Sequence, residues 1–154
     1  MVKKGKKLEA QKITVDEAKE HLDQEKKPLF HIHGFGQQPT SFLESMKDKK
    51  KEIEEFHLIP VCWPSLELSI RPSNDQYTES RTLSENAGLA FQNLKDAMDD
   101  FTSKSIMCHS MGNRVLRYAA NSNFKFDNIF MVAAVREKSF RIIFFLFFNI
   151  HCFE

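Results

Sequence analysis

Apolar residues in this chain gather into short unbroken runs, and between the runs they recur every three or four positions. The runs are Leu29 to Ile32, Leu58 to Trp63, Ile106 to Cys108 and Ile129 to Ala134. Each has the length of a strand and lacks polar alternation, which is the pattern of strands covered on both faces. Pro60 fits the second run only at an irregular point, because it withholds a ladder donor.

Helical signals lie between them. Thr14 to Glu17 has capping-box spacing and predicts a helix through Lys26, stopped by Pro28. Ser41 to Glu44 repeats the spacing and predicts a helix carrying Phe42, Met46, Ile53 and Phe56, with Lys47 to Lys51 as its solvated face. Leu83, Ala87, Ala90, Leu94, Ala97, Met98 and Phe101 recur at three- and four-residue intervals, predicting one long amphipathic helix. Arg114 to Ala120 continues the helical pattern, and the polar segment Pro64 to Arg81 reads as a surface loop. Strand and helix therefore alternate. The fold class is α/β, a mostly parallel sheet with helices on both faces. The divisions are a basic tail and helix over 1–27, an α/β core over 28–134, and an atypical apolar tail over 135–154.

Composition narrows the function classes. The formal net charge of +1, from 22 basic and 21 acidic residues, gives no overall field toward nucleic acid or a membrane surface. No basic reading helix with stacking aromatics is evident, so a nucleic-acid module is not expected. Cys62, Cys108 and Cys152 read as buried thiols of a reducing, cytoplasmic compartment. The basic stretch Lys3 to Lys7 lacks the apolar core of a signal peptide.

The candidate chemistry sits where an apolar run meets a helix. Cys108-His109-Ser110-Met111-Gly112 places a serine between strand and helix with Gly two positions later, as in a nucleophile elbow. Such a turn strains the serine backbone, so its neighbours must be small. A second segment, Pro28 to Gly36, ends a strand in His33-Gly34-Phe35, where an oxyanion hole would form. One N–H would come from Met111, after the serine, and the other from near Phe35. His33 with Gly34 would support the loop, and Gly112 the elbow.

Taken with Trp63-Pro64-Ser65 and His109 to Leu116, these motifs resemble an esterase-like branch of the α/β-hydrolase superfamily over Leu29 to Ala134. The resemblance implies Ser110 as nucleophile, a small residue tolerated at Cys108, hydrolysis of an ester-like acyl bond in a small-molecule substrate, and no metal or organic cofactor. Its partial form is the expectation here, since acid and base normally follow later strands in the order Ser, acid, His.

The tail after Ala134 offers little for those roles. The apolar run Phe140 to Ile150 is too short for a membrane span of about twenty residues. It reads as an edge strand or, preferably, as an aberrant end replacing a natural carboxyl-terminal part. Glu137 and His151 are the residues left to serve as acid and base, and Asp127 falls at the opposite sheet edge. The alternative function is a non-catalytic fragment or pseudoenzyme of the same fold, associating with itself through an exposed sheet edge. His31 and His33 share one strand face without a third ligand, so no metal site is expected. His109 is expected to point into packing, opposite the serine.

Overall fold

The computed structural model describes residues 14–22, 25–50, 53–66, 73–99, 101, 103–120, 125–133 and 147–149. Four strands lie parallel: β1 Lys27–Ile32, β2 Phe56–Val61, β3 Ser105–His109 and β4 Asn128–Val132. A short fifth strand, β5 Phe147–Asn149, joins β4 antiparallel, giving the order β2-β1-β3-β4-β5. The chain is thus α/β, with a mostly parallel sheet. Pro60 lies on β2, an outer strand among the described residues, opposite His31. An outer position tolerates the missing donor.

Strand alternation divides the core. Phe30, Ile32, Ile106 and Cys108 share a cluster with Phe91, Met98, Val115 and Ala119 from the helices. The odd-numbered His31 and His33 turn to the other face, against Phe42. Helices therefore cover both faces: α2 Pro39–Lys49 on the histidine side, α3 Asn74–Phe91 and α5 Gly112–Ala119 on the other. The two short helices are α1 Val15–Glu20 and α4 Lys95–Asp99.

Several helix boundaries differ from the sequence expectations, each for a local reason. The Thr14–Glu17 capping box forms, with the Glu17 carboxylate accepting from the Thr14 amide at 2.6 Å and the Thr14 hydroxyl accepting from the Glu17 amide at 3.2 Å. Yet α1 ends at Glu20, where the His21 amide closes on Ala18 in a tight i−3 turn. Helix α2 starts at Pro39 rather than Ser41. Proline at a first helical position has its φ preset and no N–H to orphan, and the Ser41 hydroxyl only donates to the Gln38 carbonyl. The helix stops at Lys49, before Ile53 and Phe56.

The largest departure is α3. It begins at Asn74, inside the expected loop, behind a capping box of Ser73 and Gln76. Its buried positions are Ser80, Ser84, Gly88 and Phe91, so the packed face is a stripe of small residues beside the apolar one expected. Ala90 and Leu94 are exposed, and a 3-10 turn at Gln92–Leu94 breaks the helix before α4. Small residues let α3 and α5 approach closely. A β-carbon on Gly88 would meet the Tyr118 β-carbon at 2.5 Å and the Val115 carbonyl at 2.6 Å.

At the amino ends of the strands, the Asp127 carboxylate accepts from the Ser103 hydroxyl and the Lys104 amide, both at 2.8 Å. Asp127 thus lies at the opposite edge from Ser110, as its place before β4 requires. No helix among the described residues is long and apolar enough to cross a membrane.

Gly88→Ala should lower stability by about 1–3 kcal/mol through overpacking. Helix propensity alone would favour alanine by roughly 1 kcal/mol. Urea unfolding of the two proteins distinguishes these signs.

Candidate active site

Chain reversal fixes where the site lies. The connection from β1 leads to β2 on one side, and the connection from β3 leads to β4 on the other. Adjacent strands whose crossovers diverge in this way leave a crevice at their carboxyl ends, the usual ligand position in open α/β sheets. Ser110 and the Gly34 loop emerge there together.

Ser110 joins β3 to α5 with φ of 50°, in the left-handed region that side chains with a β-carbon avoid. The strain is held from several directions. The Ser110 amide donates to the Val132 carbonyl at 2.8 Å. The Asn113 side-chain amide donates to the Ser110 carbonyl at 2.9 Å and to Val132 at 3.3 Å. Since both partners are carbonyls, the orientation of the Asn113 amide is settled by its bonds. Ala133, at the end of β4, also has positive φ, 45°.

The expected small neighbours are present for measurable reasons. A β-carbon on Gly112 would meet the carbonyls of Ile32 and His33 at 2.7 Å. One on Gly34 would meet His109 Nδ1 at 2.8 Å and the Ser110 β-carbon at 3.0 Å. Cys108 is fully buried, and burial pushes its thiol pKa strongly up, so it is an inert packing group. Met111 is buried at the N-cap of α5, where the Asn113 and Arg114 amides close on the Ser110 and Met111 carbonyls and the amino end of the helix favours negative charge.

The loop after β1 is pinned by residues whose roles only the fold reveals. Trp63 donates its backbone amide to His33 Nε2 at 3.2 Å and its indole N–H to the His33 carbonyl at 2.8 Å. The rings stack with centroids 5.4 Å apart. His33 Nδ1 lies 2.8 Å from the Gly34 carbonyl. Gly36, at φ of 75°, donates its amide to the Ser65 hydroxyl at 2.7 Å. Phe35 sits edge-on to Tyr77 at 5.9 Å. The motif Trp63-Pro64-Ser65 was the signal in the sequence, but its partners lie about thirty positions earlier, beyond any local pattern.

Two expectations need correction. His109 is exposed instead of packed, because it ends β3 at the sheet edge beside Gly34, which has no side chain to cover it. Cys62 is exposed rather than buried, one residue past the end of β2. Neither Cys62 nor Cys108 is bridged. His31 and His33 share a face but are spent on packing, His31 Nδ1 against Met46 Sδ at 3.1 Å and His33 against Trp63. Among the described residues no group of three His, Cys, Asp or Glu side chains is placed to hold a metal. Glu137, His151 and Cys152 lie outside the described residues. On the other flank, Arg114 donates to Glu85 and packs over the Tyr118 ring, tying the first turn of α5 to α3.

The chain matches no family model, no curated protein and no solved structure.

Burial, with smaller contributions from Lys49, His109 and His33, lowers the His31 pKa to about 4. An unfolded histidine titrates near 6.5, so the unfolded state binds the extra proton between those values. Stability attached to neutral His31 is complete above pH 6.5 and declines as pH falls toward 4. At about 1.4 kcal/mol per unit the loss approaches ~3 kcal/mol. His31→Leu should flatten this part of the stability–pH curve, measured by urea unfolding between pH 4 and 7. Backbone strain at Ser110 gives a second expectation: Ser110→Gly should be more stable than Ser110→Ala by about 1 kcal/mol, since only glycine is free of the left-handed penalty.

Proposed function

We propose that this chain carries a serine-hydrolase site of α/β-hydrolase type, acting on an ester-like acyl bond of a small molecule. Ser110 is the nucleophile, and the amides of Phe35 and Met111 form the oxyanion hole. The observation carrying this reading is the φ of 50° at Ser110, at a strand-to-helix junction hydrogen-bonded on both sides. Glycine would adopt that backbone at lower cost. A side chain retained there points to use of its hydroxyl. Gly34 and Gly112, pressed against the elbow and β1, and the placement at a switch point support the same reading.

In this reaction Ser110 Oγ attacks the acyl carbon while a base takes its proton. The carbonyl oxygen gains the electron pair and is held by the two amides. Collapse breaks the bond to the alcohol, which leaves with the proton, and water then releases the acid from the acyl-serine. His151 as base and Glu137 as acid are the remaining assignments within the chain. The unbridged thiols fit a cytoplasmic setting. Self-association would use an exposed sheet edge, and on β2 Pro60 withholds one donor and so works against it.

One observation favours a second reading, a non-catalytic protein of the same fold. Among the described residues no imidazole or carboxylate is hydrogen-bonded to the Ser110 hydroxyl, and an unactivated serine is a weak nucleophile.

Intact mass after incubation with a fluorophosphonate separates the readings, with Ser110→Ala as control. Activated Ser110 gives a single adduct that the control lacks, and Glu137→Gln and His151→Ala then each slow its formation. No adduct on a cooperatively folded protein assigns the chain to the second reading.

A further inference from the structure

The hydrogen bonds around His33 determine its proton. A backbone N–H can only donate, so the Trp63 amide, 3.2 Å from Nε2, requires an unprotonated acceptor there. A carbonyl can only accept, so the Gly34 oxygen, 2.8 Å from Nδ1, requires the ring hydrogen on Nδ1. Neutral His33 in its Nδ1–H form satisfies both bonds, and no other form does. Imidazolium would set N–H against N–H at Trp63. Complete burial of the ring, which lowers its pKa, works in the same direction.

This proton has a geometric consequence one residue on. The peptide joining Gly34 to Phe35 is trans, so its carbonyl and its N–H point in opposite directions. With the carbonyl drawn to His33, the Phe35 N–H faces away from the side occupied by His33, Trp63 and Phe42. The Gly34 α-carbon at the head of that peptide abuts the Ser110 β-carbon, as the 3.0 Å approach of an added methyl shows. The far side of the loop is held independently by the Gly36 amide on Ser65.

We propose that His33, fixed in the Nδ1–H tautomer by the Trp63 amide, is the positioning residue that turns the Phe35 N–H toward the Ser110 hydroxyl. The inference rests on the serine-hydrolase reading for its purpose, but not for its geometry. His33 touches no substrate. It acts through the Gly34 carbonyl, and Trp63 acts through His33.

Two substitutions divide the ring's functions. In His33→Asn the side-chain amide nitrogen falls where Nδ1 was and retains the donor to Gly34, while the acceptor for Trp63 is lost. In His33→Gln the side-chain oxygen reaches the Nε2 position and retains the acceptor for Trp63, while the donor to Gly34 is lost. Urea unfolding reports whether each variant keeps a cooperative fold, because Trp63 emission responds directly to loss of the stacked His33 ring.

The test combines long-range proton–nitrogen correlation of the His33 ring with the rate of fluorophosphonate labelling at Ser110 and the amide shift of Phe35. The expected result is an Nδ1–H, Nε2-unprotonated ring at pH 7. Labelling should slow about a hundredfold in His33→Gln, the scale of a lost oxyanion donor, and recover to within roughly threefold of wild type in His33→Asn. A ring protonated on Nε2, or on both nitrogens, overturns the proposal. So does wild-type labelling in His33→Gln. If the wild-type chain takes no label, the hydrolase reading falls, and the positioning is decided by nuclear magnetic resonance alone. A Phe35 amide shift that moves in the glutamine variant and not in the asparagine variant then upholds it, and the reverse, or no change in either, overturns it.

Discussion

Backbone-to-backbone contact between the end of β1 and the start of α5 is the constraint on which the site depends. Gly112 lies so close to the Ile32 and His33 carbonyls that a single carbon would collide with both. That contact draws the first turn of α5 onto β1, and Gly34 then meets Ser110 with no side chain between them. Two segments about eighty positions apart thereby share one small volume. A larger residue at either glycine would force them apart.

Much of the sheet was legible in the sequence because strands covered on both faces need apolar residues at every position. Leu29, Phe30 and Ile32 on β1 and Ile106 and Cys108 on β3 carry that signature and lie in the core, while His31 breaks it. Helix α3 was misplaced because its packed face consists of Ser80, Ser84 and Gly88. Small residues at a close helix crossing carry no hydropathy signal. Of the apolar residues that do recur, Leu83, Ala87, Met98 and Phe101 pack on the core, while Ala90 and Leu94 fall on the exposed side. The capping box at Ser73 was present in the letters but masked by the polar stretch around it.

The site was legible in part, and the division is physical. A strained turn restricts its immediate neighbours, so Ser110 with Gly112 leaves a local trace. The supports of that turn are nonlocal: Val132 accepts from the Ser110 amide, Trp63 grips His33 from both sides, and Ser65 holds Gly36. None of these partners has a required spacing, so no periodicity announces them. His109 was misjudged by strand alternation, which gives the face of a residue but not whether anything covers it at the sheet edge.

The bond from the Ser110 amide to Val132 bears on when the site comes into being as well as on its shape. Locally the left-handed serine is held at its carbonyl by Asn113, but the carbonyl that takes its N–H lies twenty-two positions later, on β4, beyond the α5 crossover. β4 is also the last of the four parallel strands to emerge during synthesis. A chain emerging during synthesis would therefore carry Ser110 in a relaxed backbone until β4 docks, so the geometry that readies this hydroxyl arises among the last events of folding.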